Sequence, residues 1–297
     1  MAMRSDRKFA VLILTHGRPD KVISINTLRR AGYTGDIYLV IDDEDKTADR
    51  YRELYGDKVV QFSKLEAAKG MDAGDNSPER RSILYARNVA YEIARKLGLT
   101  HFTQWDDDYR DISYKFDREG RYQLGTCWVK SLDQVFDACL DFLDRTHVAT
   151  LAFAQGGDLF GGSQNNLLSR ITAKRKSMNT FMCRVDRPVE FQGKLNEDVN
   201  TYCELGREGV LFLTIFNVMI NQLQTQSNPG GITEMYLYYG TYAKALMAVM
   251  YAPSCVKITM IGRAVFRIHH KINSKYAYPK IVPEDFRKPL LAEGSSR

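Results

Sequence analysis

The chain has 297 residues, with 42 Lys and Arg against 36 Asp and Glu for a formal charge of +6, and is 44% hydrophobic and 26% charged. That length suits one α/β domain with a C-terminal extension, and the composition, with only 8 Pro, excludes a disordered or collagen-like chain. The five cysteines, Cys127, Cys139, Cys183, Cys203 and Cys255, are odd in number and lack a Cys-x-x-Cys pair, which argues against a disulfide framework or a zinc site and fits a reducing compartment.

KFAVLILT (8–15) is a continuous apolar run too short for a typical helix and closed by Gly17-Arg18-Pro19, the pattern of a central buried strand. Asp20 is a plausible cap for a helix that ends before Gly32. DIYLVIDDED (36–45) is a second strand ending in acids, TADRYRELYG a short charged helix, and KVVQFSK (58–64) a third strand. Residues 65–78, rich in Gly, Ala, Asp and Ser, predict a long mobile loop. ERRSILYARNVAYEIARKLG is a helix with Ile83, Ala86, Ala90 and Ile93 on one face, and THFTQWDDDY (100–109) is a strand that stops in three acids.

A hairpin turning at Glu119-Gly120 follows, then an amphipathic helix from Ser131, a strand at 148–155, the glycine-rich GGDLFGGSQNN and the strand NTFMCRV. A loop leads into a helix at Asn196. The longest apolar stretch, Val210 to Ile220, reads as a buried strand and falls short of the roughly 18–20 residues that spanning a bilayer requires. QLQTQSNPGGITE is a polar loop, MYLYYGTYAKALMAVMY a helix, CVKITMIG the final strand and FRIHHKI a tail. The N-terminal apolar run has no small-residue cleavage site after it, so a soluble, unexported, cytoplasmic protein is expected.

Alternating strands and helices predict a parallel sheet with helices on both faces, and such sheets bind ligands at the carboxyl ends of their strands. That rule collects Thr15, His16 and Arg18, then Asp42 and Asp43, then Asp106, Asp107 and Asp108. Three adjacent carboxylates repel one another, which a hard cation such as Mg²⁺ or Mn²⁺, shared with substrate phosphates, relieves; a solvated acidic turn is the alternative. In extended chain Asp106 and Asp108 point one way and Asp107 the other. Glu197-Asp198 opens a helix and is either a dipole-matched first turn or the home of a general base. His269 and His270 can complete a metal shell, touch a diphosphate or be structural. Gly156-Gly157, Gly161-Gly162 and Gly230-Gly231 allow close approach to a phosphate or simply make turns, and no GxxxxGK[ST] is present. Lys174-Arg175-Lys176 is a candidate for phosphate contacts, and a solvated charge run is its commoner explanation.

LTHGRPD, LVIDDED, a helix with ARN, QWDDD, NEDVN and a late histidine together resemble a GT-A glycosyltransferase, whose metal motif is usually Asp-x-Asp. NEDVNTY, QTQSNPGGITEMY, YAPSCVKITMIG and RIHHKI more narrowly resemble the phage TET-associated DNA glycosyltransferases, over residues 8 to 282. The resemblance implies an α/β, Rossmann-like GT-A domain over 1–297, with a mostly parallel sheet, flanking helices and a C-terminal helical and strand extension. Residues 1–110 would bind nucleotide and 111–297 the acceptor.

It implies transfer of a sugar from a UDP-sugar donor to the hydroxyl of 5-hydroxymethylcytosine in phage DNA, in the cytoplasm of an infected host, with Mn²⁺ or Mg²⁺. Thr15, Arg18, Asp42 and Asp43 would hold the nucleotide, with Arg87, Asn88 and Asp107 on the donor; Asp106 and Asp108 would hold the metal, with His269 or His270 as distal ligand. Asp198 would be the base of an inverting displacement, with Glu197 nearby. The doubled choices at DDD, ED and HH stay open. No protein or membrane partner is evident. The rivals are a GT-A enzyme with a non-DNA acceptor, a metal-dependent nuclease or phosphotransferase, and a binding module without catalysis.

Overall fold

Strand β1 (Phe9–Leu14) is buried along its whole length and divides its side chains between two cores. Phe9, Val11 and Ile13 face one core, Leu12 and Leu14 the other, so the unbroken apolar run is what a strand covered on both faces requires. The computed structural model describes residues 7–159, 179–223, 240–262 and 266–277. Within them β2 (Asp36–Asp42), β3 (Val59–Phe62), β4 (His101–Asp106), β5 (Tyr109–Phe116), β6 (Tyr122–Trp128), β7 (Thr150–Gln155), β8 (Met182–Arg184) and β9 (Phe212–Gln222) complete one sheet, in the order β3-β2-β1-β4-β8-β7-β9-β5-β6. Pairing is parallel from β3 through β4 and between β7 and β9, and antiparallel around β8 and β5. Only β5 and β8 oppose the other strands, so the sheet is mostly parallel in direction.

Helices α1 (Ile23–Arg30), α2 (Ala48–Tyr55) and α5 (Leu132–Arg145) cover one face, contributing Leu28, Tyr51, Phe136 and Leu140 to its core. The other face is covered by α4 (Leu84–Lys96), α6 (Glu197–Arg207) and α7 (Thr241–Tyr251), through Leu84, Tyr91, Val199, Cys203 and Ala248. Further short elements are α3 (Lys64–Ala68), a separate antiparallel pair β10 (Val256–Ile261) and β11 (Arg267–Ile272), and α8 (Ser274–Ala277).

Several expectations need correction. The first helix begins at Ile23, not after Asp20: Pro19–Lys21 forms a 3₁₀ turn, and Asp20 faces outward to Arg50. Gly32 does end it, at φ +86°, where a Cβ would lie 2.3 Å from the Lys130 carbonyl oxygen. The segment 65–78 starts inside α3, which Ser63 caps through the Glu66 N–H. The rest of that segment is tied down: Gly193 and Lys194 donate backbone bonds to Asp72 and Ala73, and the buried Lys194 ammonium reaches Asp75 at 2.6 Å. Strand β9 is less buried than its apolar run suggests: Leu213 to Phe216 are half-buried, and its pairing with β7 jumps from Ile215 to Met219, with Asn217 exposed between them. The expected tail is strand β11, whose alternation of Ile268, His270 and Ile272 with Arg267, His269 and Lys271 is the period of a strand.

Gly161, Gly162, Lys174, Arg175, Lys176, Gly230, Gly231 and residues 235–239 of the expected helix lie outside the described residues. Among the described residues no helix is long and apolar enough to cross a membrane. No disulfide joins the cysteines; Cys127 is exposed and the other four are buried.

Candidate active site

The carboxyl ends of β1, β2 and β4 meet at one edge of the sheet, and the residues just beyond them bond to one another. Thr15 donates its hydroxyl to Asp107 Oδ2 at 2.6 Å and shares a 2.7 Å bond with the Tyr51 hydroxyl. Arg18 reaches Asp107 Oδ1 at 3.2 Å, and its backbone N–H donates to Tyr51. Asp42 is buried against His16 Nδ1 at 2.8 Å and the Lys64 ammonium at 3.1 Å. Burial opposes ionisation of Asp42, but the His16 bond and the Lys64 charge outweigh it and hold the carboxyl below its ordinary range. Asp43 is exposed and caps α3 by accepting the Lys64 N–H at 2.9 Å. Thr15, Arg18, Asp42, Asp43 and Asp107 thus lie together at the carboxyl ends of β1, β2 and β4.

The acidic turn after β4 separates its three members. Asp107 spends both oxygens on Thr15 and Arg18, and burial holds its carboxyl above the usual range. Asp106 keeps its side chain partly open, with Arg87 at 3.4 Å. Asp108 is pushed up to about 7 by burial and by the charges of Asp106 and Asp107. Its Oδ2 accepts from Gln222 at 3.3 Å, while its Oδ1 is buried with no hydrogen-bond partner among the described residues. A buried carboxylate oxygen without a donor beside a second half-open carboxylate is a set of hard donors that fits a divalent cation.

Arg87 links this turn to α6. Its guanidinium is buried, reaches Glu197 Oε1 at 2.9 Å as well as Asp106, and lies over the Phe181 ring at 4.9 Å. Burial works against its charge, but Asp106 and Glu197 more than compensate and raise its pKa. Burial likewise pushes the Glu197 carboxyl up, helped by Asp198 and opposed by Arg87. Asp198 is half-buried and accepts the Val199 N–H at 2.7 Å. Asn88 spends its amide on the Phe191 backbone, donating to the carbonyl at 2.9 Å and accepting the N–H at 2.7 Å, so it fixes the chain leading to α6.

His269 and His270 stack at 4.4 Å within β11, not after the last strand, and His270 Nδ1 lies 3.2 Å from the amide of Asn196 at the start of α6. Among the described residues no three His, Cys, Asp or Glu side chains assemble as a metal-ligand group. Protein-poor coordination is usual where substrate phosphates supply the remaining oxygens.

Three residues of the cluster escaped the sequence reading: Tyr51, Lys64 and Asp45. Asp45 is buried and accepts the Gly17 N–H at 2.7 Å, shaping the loop after β1. Lys64 follows the third strand, so the strand-end rule applied there would have found it. Tyr51 comes from mid-helix and carried no such signal.

The His16 bond to Asp42 raises the His16 pKa over the opposing burial, so its stabilisation is complete below about 6.5 and is lost as pH rises through the folded value. Asp42, with its lowered pKa, contributes above its ordinary value and loses that contribution only as pH falls through the folded one. The imidazole is 40% exposed, so solvent screening leaves about 0.5 kcal/mol. His16→Asn should therefore lower the urea midpoint at pH 5.5 and change it little at pH 8.5. Equal losses at both pH values would show that the ion pair carries none of the effect.

The profile of the TET-associated glycosyltransferases matches residues 9–231, well over half of the chain. The chain belongs to the TET-associated glycosyltransferase family. It is accordingly a glycosyltransferase by family, built on a mixed α/β sheet with flanking helices. Among solved structures it is similar to glucosyl-3-phosphoglycerate synthase from Mycobacterium tuberculosis in complex with Mn²⁺, UDP-glucose and phosphoglyceric acid, at 9% identity and a TM-score of 0.46, covering 91% of each chain. It is also similar to S. aureus TarS, at 15% identity and a TM-score of 0.40, covering 82% of this chain and 40% of that one. No curated protein matches the chain.

Proposed function

We propose that this family member transfers a sugar from a UDP-sugar to the hydroxyl of 5-hydroxymethylcytosine in DNA, with inversion at the anomeric carbon. The observation that carries this reading is the buried Arg87, held between Asp106 and Glu197. It couples the acids of the donor side to the start of α6, where Asp198 is the carboxylate left half-open. In this reading residues 1–110 form the donor half and 111–297 the acceptor half.

Thr15, Arg18 and Asp107 shape the pocket for the uridine and its diphosphate, with Asp42 and Asp43 beside them. Asp106 and Asp108 would hold a divalent cation, Mn²⁺ or Mg²⁺, together with the donor phosphates. Bound there, the cation supplies charge neutralisation for the departing diphosphate. Arg87 orients Asp106 and Glu197, and Asn88 fixes the segment before α6. His269 or His270 would stand as the distal ligand, their hairpin joined to α6 through Asn196.

As the acceptor oxygen bonds to the anomeric carbon, the carbon–oxygen bond to the diphosphate breaks and the hydroxyl proton passes to Asp198. Glu197 is buried and engaged by Arg87 at 2.9 Å, which leaves Asp198 as the half-open carboxylate of the pair. A buried base in a duplex must leave the stack to reach such a site, and contacts to phosphate offset that cost.

The test is incubation with Mn²⁺, a panel of UDP-sugars and DNA with or without 5-hydroxymethylcytosine, followed by mass spectrometry of the nucleosides. A hexose-sized gain on modified DNA alone is the expected result, and UDP release without that gain sends the acceptor elsewhere. Asp198→Asn should reduce transfer about 100- to 10,000-fold, the usual reach of general-base catalysis. Retention of wild-type transfer by Asp198→Asn removes it as the base.

A further inference from the structure

A cavity of about 570 Å³ opens between α1 and the β5–β6 hairpin. Arg30, Arg110 and Lys130 line it and are exposed, and with them stand Asn26 and the exposed indole of Trp128. The only acid among its lining residues is Asp111, whose carboxylate accepts a bond from Asn221 at 2.5 Å. Arg30 is positioned through Nη2, which donates to Thr27 Oγ1 at 3.2 Å and to the Arg110 carbonyl at 2.7 Å.

This combination selects a ligand class. A small anion has no use for an indole, and a neutral aromatic ligand has no use for three cations. A nucleotide of a nucleic-acid strand presents both a phosphate and a planar base, and exposed aromatics among basic side chains are how unpaired strands are held. The place also fits. Arg110 lies two residues beyond Asp108, about 7 Å of extended chain, or roughly two nucleotide steps.

We infer that this cavity is a nucleic-acid subsite in which Arg30, Arg110 and Lys130 hold a phosphate and Trp128 stacks on an unpaired base, leading the acceptor strand past the acidic turn. The inference rests on the DNA reading for its connection to catalysis, and it requires the strand to be single or locally opened at the site.

Of the two tryptophans Trp105 is fully buried, so Trp128 is the natural fluorescence reporter. Titration of the whole protein with a ten-residue oligothymidylate should quench emission, and added salt should weaken the binding. Arg30→Ala combined with Arg110→Ala should raise Kd about tenfold, and Trp128→Leu should raise the KM for 5-hydroxymethylcytosine oligonucleotide by a similar factor, with Trp128→Phe closer to wild type. The KM for the UDP-sugar should hold within a factor of two, and circular dichroism melts check that the variants fold.

An oligothymidylate Kd unchanged in the arginine variant overturns the subsite. Quenching as strong with polyglutamate overturns it in favour of an acidic protein partner. If modified DNA is glycosylated with an unchanged KM in Trp128→Leu, the subsite fails and the acceptor reading stands. If modified DNA is not a substrate while oligothymidylate binding is lost in the arginine variant, the subsite stands and the acceptor reading fails.

Discussion

On the proposed reading, Asp106→Asn and Asp108→Asn are each expected to slow sugar transfer about 100- to 1000-fold, because each would remove one anionic ligand from a cation worth several kcal/mol to the leaving diphosphate. The structure separates these two from their neighbour: Asp107 has both oxygens bonded to Thr15 and Arg18, whereas Asp108 Oδ1 is buried without a donor and Asp106 is partly open. Asp107→Asn should therefore raise the KM for the donor and destabilise the loop after β1, with a smaller loss in kcat. Initial rates over a Mn²⁺ titration distinguish the cases, since the metal concentration for half-maximal rate should rise for Asp106→Asn and Asp108→Asn and stay put for Asp107→Asn. Equal metal dependence in all three variants would falsify the assignment of ligands within the turn.

Arg87→Met is expected to destabilise the protein by about 3 to 5 kcal/mol, the cost of leaving a buried carboxylate without its partner. Glu197 is buried and its ionised form depends on Arg87 at 2.9 Å, while Asp106 loses the same cation. The companion substitution Glu197→Gln should recover part of the loss, because it removes the charge that Arg87→Met strands. Urea unfolding of the two single variants and the double variant gives the coupling directly. Simple additivity of the two losses would mean that the pair is not the connection between β4 and α6 that its geometry indicates.

Much of the architecture was readable from local pattern. KFAVLILT and the acids closing DIYLVIDDED and FTQWDDDY announce buried parallel strands with polar ends, and the end rule then gathers Thr15, Arg18, Asp42 and the acidic turn at one edge. Reading failed where neighbours in space set the outcome. Pro19–Lys21 forms a separate turn, and the helix after it is anchored by the Ser24 hydroxyl, which donates to the Asp106 carbonyl at 2.6 Å, a contact between residues 82 apart. The loop before α4 is held by Lys194, more than a hundred residues later.

Chain periodicity and composition by themselves determined the alternating α/β layout and the acids that close its strands, since each depends on residues within one or two turns of one another. Which aspartate of the turn is bonded to Thr15 and Arg18, which member of Glu197-Asp198 is paired with Arg87, and that His269 and His270 sit in a hairpin beside Asn196 were decided only by tertiary structure. Those roles follow from burial and from the partner each carboxylate finds, and both are set by side chains distant in sequence.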